Sequence, residues 1–196
     1  MHIYVLGGFL GSGKTTILMK IVNGFLGKGK KVAVIVNEIG DIGVDGTTLR
    51  SEGYNTTELA EGCVCCTLSA TLQVATYNII RDINPDVIVI EPTGLAIPGK
   101  VSEALAEDPL NLESTVIGVA DGVRFKVFVS KKPEFMKEQL ESSDLIVINK
   151  IDIASEEDVA NIESWVKENV GDVRVIKTSA LTNEGIDELK EAIYNE

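Results

Sequence analysis

The segment Gly8-Phe9-Leu10-Gly11-Ser12-Gly13-Lys14-Thr15 fits the pattern G-x-x-x-x-G-K-[ST], and its surroundings limit the fold more than any other stretch of the chain. It follows a short apolar run, Ile3 to Leu6, and leads into a helical pattern, so it reads as strand, glycine loop and helix in succession. Glycines let consecutive backbone N–H groups turn inward around a phosphate, and the helix N-terminus adds partial positive charge. Lys14 is expected to reach the β- and γ-phosphates and the Thr15 hydroxyl to ligate Mg²⁺, while Gly8, Gly11, Ser12, Gly13 and Thr16 complete the loop. The plain alternative is a glycine-rich turn that holds no ligand, but a chance match in a chain of this size is on the order of 1% or less.

The rest of the sequence supplies the frame such a loop needs. Short β-branched apolar runs recur at Ile3 to Leu6, Val32 to Val36, Val87 to Ile90, Val116 to Val119, Leu145 to Ile148 and Val173 to Ile176. Several are apolar throughout, which suits strands covered on both faces. Helical patterns lie between them, clearest at Ser155 to Asn169, where Ser155 precedes Asp158 by three residues and Val159, Ile162 and Val166 recur at helical spacing. A closing helix is expected from about Gly185. The pattern predicts a three-layer α/β fold of the P-loop NTPase type, with a mainly parallel central sheet and right-handed crossovers. No internal repeat or Pro/Gly/Ser linker divides the chain, so residues 1–196 are expected to form a single P-loop GTPase domain.

Two further strand ends carry chemistry. Asn149-Lys150-Ile151-Asp152 follows the run Leu145 to Ile148, where an open α/β sheet places ligands. The Asp152 carboxylate can accept from guanine N1–H and the exocyclic 2-amino group, whereas adenine offers neither donor, so GTP is preferred to ATP. The Lys150 stem can cover one face of the base, Asn149 can tie this loop to the phosphate loop, and Ser179-Ala180 can offer a backbone N–H to guanine O6. The run Val87 to Ile90 ends in Glu91-Pro92-Thr93-Gly94. Glu91 stands where an acid holds Mg²⁺ through water, and the Gly94 N–H can sense the γ-phosphate.

Charge and cysteine usage narrow the partners. Eighteen Lys and Arg against thirty Asp and Glu leave a net charge of −12, which repels nucleic-acid backbones and anionic lipid, so neither nucleic acid nor membrane is an expected partner. The N-terminus has no basic region before its apolar run, and a cytoplasmic location is expected. All three cysteines fall within Gly62-Cys63-Val64-Cys65-Cys66, a spacing poorly suited to disulfides and better suited to a thiolate site for Zn²⁺ or Co²⁺. Buried packing cysteines and redox chemistry are the other readings. Three thiols leave a fourth ligand to a carboxylate, water or a second chain. The acidic, glycine-rich stretch Asn37 to Gly46 occupies a switch-loop position and could organise around Mg²⁺ or another cation.

Taken together, these motifs resemble the GTPase domain of the CobW/HypB/UreG-type metallochaperones, most closely the CobW-like branch. The resemblance rests on Gly7 to Thr16, Asn37 to Gly46, Glu61 to Cys66, Glu91 to Leu95 and Asn149 to Asp152, and C-x-C-C is the most specific of these. It implies a GTPase that binds a divalent transition metal at Cys65, with Cys63, Cys66 and Glu38 as co-ligands, and places Asp41 near Mg²⁺. Zn²⁺ or Co²⁺ is the expected cargo, with Ni²⁺ a third candidate. It further implies delivery to a client metalloenzyme or cofactor-assembly protein. The chain is expected to lack the C-terminal domain that CobW-like proteins usually carry.

The expected mechanism is a slow switch in which GTP and Mg²⁺ order the loop from Glu38 to Gly46 beside the cysteines and hydrolysis releases the metal. Lys14, Thr15 and Glu91 carry the catalysis in this reading. No Gln or Arg stands out as a water-positioning or charge-stabilising group, so activation by a nucleotide-dependent homodimer or by the client is expected. A GTP-dependent gate for a cofactor enzyme that carries no metal is the competing reading, and a nucleotide-dependent kinase is a third.

Overall fold

The structure is a computed structural model that describes residues 1–36, 55–58, 68–107 and 112–194, with the backbone alone at 55–58 and 68–71. Seven strands form one parallel sheet: β1 (His2–Gly7), β2 (Val32–Val36), β3 (Asn55–Glu58), β4 (Val87–Glu91), β5 (Ser114–Asp121), β6 (Leu145–Asn149) and β7 (Arg174–Thr178), in the spatial order β3-β2-β4-β1-β5-β6-β7. The described helices are α1 (Lys14–Gly27), α2 (Leu68–Ile83), α3 (Pro98–Ala106), α4 (Phe125–Lys131), α5 (Pro133–Leu140), α6 (Glu156–Asn169) and α7 (Ile186–Tyr194).

The all-apolar strands are buried on both faces because helices cover both. Along β1, Tyr4 and Leu6 face a core with Ile17, Leu18 and Ile21 of α1 and Leu189 and Ile193 of α7. Ile3 and Val5 point the other way, onto Leu72 and Ile79 of α2 and Leu105 of α3. On β6, Ile146 and Ile148 meet Leu140 of α5 and Ile162 and Val166 of α6. This is the predicted three-layer arrangement, parallel throughout.

All six expected strands form, some with shifted ends. The seventh, β3, escapes prediction because Asn55-Thr56-Thr57-Glu58 has no apolar alternation. Its backbone pairs with β2 from Ala33↔Asn55 to Val36↔Glu58. Ser155 caps α6 as expected, accepting the Asp158 N–H at 3.1 Å. The chain end is tied to its beginning by two tyrosines: Tyr4 donates to the Ile193 carbonyl and Tyr194 to the Ile21 carbonyl, each at 2.8 Å. Among the described residues no helix is long and apolar enough to cross a membrane.

Parallel strands deliver all their C-terminal ends to one edge of the sheet. Gly7, Glu91, Asp121, Asn149 and Thr178 therefore end their strands side by side, and the loops that leave from them form the site.

Candidate functional site

The loop after β1 is shaped to receive an anion. Gly13 has φ +96, and a Cβ on it would collide with the Asn149 Nδ2 atom, so only glycine fits between the helix start and the β6 loop. No side chain caps the α1 N-terminus and its first turn carries no acid, which leaves helix N–H groups for a ligand. The Ser12 N–H and the Lys14 ammonium share one acceptor, the Phe9 carbonyl, at 3.1 and 3.4 Å. These donors converge on one spot that a phosphate oxygen would contest. The buried Ser12 hydroxyl has no hydrogen-bond partner among the described residues. Burial holds the Lys14 ammonium below its ordinary pKa, and the neighbouring Glu91 carboxylate offsets only part of that shift.

Beside this loop the Thr15 hydroxyl donates to Glu91 Oε1 at 2.9 Å, so a hydroxyl from α1 and a carboxylate from the end of β4 meet across 76 residues. Two hard oxygen donors at the mouth of a phosphate site fit Mg²⁺, which takes few protein ligands and completes its shell with phosphate and water. Gly94 lies against the loop: a Cβ there would stand 3.0 Å from the Leu10 nitrogen.

The β6 end is fastened to the same loop from the other side. Asn149 Nδ2 donates to the Ser12 carbonyl at 2.9 Å, and Lys150 Nζ donates to the Gly11 carbonyl at 2.6 Å. Lys150 itself adopts φ +70, outside the range usual for a long side chain. Asn149 Oδ1 accepts the Ala180 N–H at 3.0 Å, and the Ser179 N–H is taken by the Glu184 carbonyl at 2.9 Å. Guanine O6 would therefore have to share or displace the Ala180 N–H that the sequence reading offers it. Asp152 is exposed and forms no hydrogen bond or ion pair among the described residues.

A phosphate loop, an acid at the next strand end and an Asn-Lys-x-Asp loop thus share one sheet edge. The model for "CobW/HypB/UreG, nucleotide-binding domain" matches residues 2–177. The chain belongs to the CobW/HypB/UreG family. What it carries is that family's nucleotide-binding domain, in a P-loop NTPase fold.

Among relatives, the chain is 34% identical over 176 residues to "Zinc chaperone YeiR" of Escherichia coli, covering 88% of this chain and 53% of that protein. It is 26% identical over 239 residues to "Zinc-regulated GTPase metalloprotein activator 1" of Dictyostelium discoideum, covering 98% of this chain and 50% of that protein. The chain spans about half the length of these curated relatives. The crystal structure of HypB from Helicobacter pylori in complex with nickel shares the fold, with a TM-score of 0.74, 17% identity, and coverage of 100% of this chain and 86% of that one.

The CobW-like motifs divide between what the structure brings together and what lies outside it. Gly8, Gly11, Ser12, Gly13, Lys14, Thr15, Glu91, Gly94, Asn149 and Lys150 gather around one loop, with Ser179 and Ala180 behind Asn149 and Thr16 exposed on α1. Glu38, Asp41, Cys63, Cys65 and Cys66, the expected transition-metal ligands and Mg²⁺ neighbour, lie outside the described residues. Among the described residues no group of three or more His, Cys, Asp or Glu side chains could hold a metal ion.

Gln139, Asp121 and Arg124, which the motifs do not indicate, also support the site. Gln139 on α5 is fully buried and hydrogen-bonds the Gly8 N–H and the Ala96 carbonyl. Asp121 ends β5 and pairs with Arg124 and Lys150, each at 2.8 Å. Burial alone pushes the Asp121 carboxyl up, but hydrogen bonds from Lys150, from the Arg124 side chain and from the Arg124 and Val123 N–H groups leave it below its ordinary range. Asp121 had a readable signal, an acid closing an apolar strand as Glu91 does. Gln139 had none, since its partners are distant backbone groups.

Proposed function

We propose that this chain is the GTP-driven switch of a metallochaperone, with zinc the favoured cargo, and that nucleotide state governs binding of the metal and its transfer to a client metalloprotein. The observation that carries the nucleotide half is the fastening of the Asn149-Lys150 loop to the Ser12 and Gly11 carbonyls. It makes the base-reading and phosphate-binding segments one site. Asp152 reads the guanine edge, the Lys150 stem covers the base, and Lys14 neutralises the β- and γ-phosphates.

Thr15, Glu91 and Asp41 would hold Mg²⁺, which would supply charge neutralisation for the polyphosphate. The chain's own groups do the rest. Inward N–H groups of the loop orient the triphosphate, and Gly94 reports the presence of the γ-phosphate to the turn that ends at Ala96. Turnover is expected to be slow, with activation by a homodimer or by the client.

The metal half rests on the C-x-C-C segment and on relatives named zinc chaperones and a zinc-regulated metalloprotein activator. Cys65, with Cys63, Cys66 and Glu38, takes the cargo. Thiolates suit Zn²⁺ and Co²⁺, and the nickel-bound HypB neighbour keeps Ni²⁺ in view. Two connections bear on the coupling: the one that contains Glu38 departs from Val36, and the one that contains the cysteines runs from Glu58 to Leu68. Val36 and Glu58 are paired residues at the same edge of the sheet as the phosphate loop. The protein acts in the cytoplasm, and a nucleotide-dependent homodimer is its working form.

Metal binding compared in GDP, GTP-analogue and nucleotide-free protein, with mass measured in each, tests the reading. A thiolate-to-Co²⁺ charge-transfer band that changes with nucleotide and disappears in Cys65→Ser is the expected result. No band in any state would leave a GTP-dependent gate that carries no metal.

A further inference from the structure

One buried carboxylate reaches the phosphate loop through two cations. Asp121 is 2% exposed, and its two oxygens have separate tasks. Oδ1 accepts the Val123 and Arg124 N–H groups at 3.0 Å each and closes the turn after β5. Oδ2 takes Arg124 Nε and Lys150 Nζ, each at 2.8 Å. Both cations continue to the loop, where Arg124 Nη2 donates to the Leu10 carbonyl at 3.1 Å and Lys150 Nζ to the Gly11 carbonyl at 2.6 Å.

Leu10 and Gly11 are consecutive, and the C=O and N–H of a trans peptide point in opposite directions. Holding these two carbonyls outward turns the N–H groups of Gly11 and Ser12 inward, the orientation an anion nest requires. The Ser12 N–H already points to the spot it shares with the Lys14 ammonium. Gly11 is matched to this strut: it has φ +74, and a Cβ on it would stand 2.6 Å from Arg124 Nη2.

We propose that Asp121 is a positioning residue for the nucleotide, fixing Arg124 and Lys150 on successive phosphate-loop carbonyls so that two N–H groups stay aimed at phosphate. This rests on the reading of Gly8 to Thr15 as the phosphate site. Arg124 acts as a strut on the loop and Lys150 serves both loop and base, so loss of Asp121 loosens phosphate and base segments together.

The Asp121→Asn variant separates the two tasks. Its amide carbonyl can still accept the turn N–H groups, while its NH₂ faces both cations. The test measures fluorescent GDP affinity and release rate, GTP kcat and KM, and the unfolding midpoint for Asp121→Asn, Arg124→Gln, Lys150→Met and the Asp121→Asn/Lys150→Met pair. Asp121→Asn is expected to weaken GDP roughly tenfold through faster release and to raise KM far more than it lowers kcat. The loss in the double variant should fall well short of the product of the two single losses, because both changes break the same strut. Folded Asp121→Asn with GDP affinity within about twofold of wild type, or single effects that simply multiply, would overturn the proposal. Should Asp121→Asn not fold, faster GDP release in both Arg124→Gln and Lys150→Met supports it, and unchanged release in both overturns it. Wild-type protein that bound no GDP would remove the phosphate-site reading and this inference with it.

Discussion

The main-chain N–H of Gly8 donates to Oε1 of Gln139 at 3.2 Å, deep in the protein and across 131 residues. The other end of the same amide donates to the Ala96 carbonyl at 2.7 Å, so one side chain on α5 spans from the start of the phosphate loop to the turn that follows Gly94. Replacement by Leu would strand a buried donor and a buried acceptor. Gln139→Leu should lower stability by about 2–6 kcal/mol, since each of the two orphaned groups costs about 1–3 kcal/mol. Urea unfolding measures it, and a loss below about 1 kcal/mol would mean that water takes the place of the amide.

Thr15 and Glu91 test the Mg²⁺ assignment. Thr15→Ala removes one oxygen donor and the 2.9 Å hydrogen bond to Glu91. GTP-analogue affinity in Mg²⁺ should fall roughly tenfold, while affinity in EDTA changes little. Equal losses in both media would place Thr15 in phosphate binding and remove it from the metal shell.

Base selection follows from donor and acceptor matching at Asp152, which is exposed and ready to accept. Asp152→Asn exchanges an acceptor for a donor, so guanine loses its partner while xanthine, with a carbonyl at that edge, gains one. GTP binding should fall by roughly 100-fold or more, and XTP binding should rise. Competition of both nucleotides against fluorescent GDP reads the switch directly.

Lys14 gives the site a pH signature. Its pKa lies below 10.5 in the folded chain because burial disfavours the ammonium. Between that lowered value and 10.5 the folded protein binds fewer protons than the unfolded chain, so this group's contribution to stability rises with pH through the window and is smallest below it. A bound polyphosphate raises the Lys14 pKa again. Nucleotide binding should therefore take up protons at alkaline pH, which calorimetry in two buffers of different ionisation enthalpy detects. Lys14→Met should abolish that uptake.

The legible parts of this chain were those whose physics is local. Apolar β-branched runs such as Val32 to Val36 and Leu145 to Ile148 announced their strands because both faces needed cover, and Ser155 announced the start of α6 through its capping spacing. Gly13 and Lys14 were readable because a phosphate loop imposes its residue types at fixed offsets. β3 was not, because Asn55 to Glu58 owes its form to backbone pairing with β2, which leaves no apolar trace. The short helices α4 and α5 carry no such local signal, and neither do Gln139 on α5 and Arg124 just before α4. Their roles depend on which distant carbonyl each side chain meets, and only the folded chain settles that.

The strand order places the phosphate loop of β1 between the ends of β4 and β5, and therefore between Glu91 and Asp121. Each acid faces cations that polyphosphate would otherwise have to itself: Lys14 beside Glu91, and Arg124 and Lys150 on Asp121. Three cations against two acids leave the surroundings of the loop with only a small net positive charge. A triphosphate carries more negative charge than these side chains offset, and a divalent cation would supply part of the difference. The affinity of this domain for GTP is thus tied to the divalent cation supply around it, much as a lock is tied to a key that needs two hands to turn.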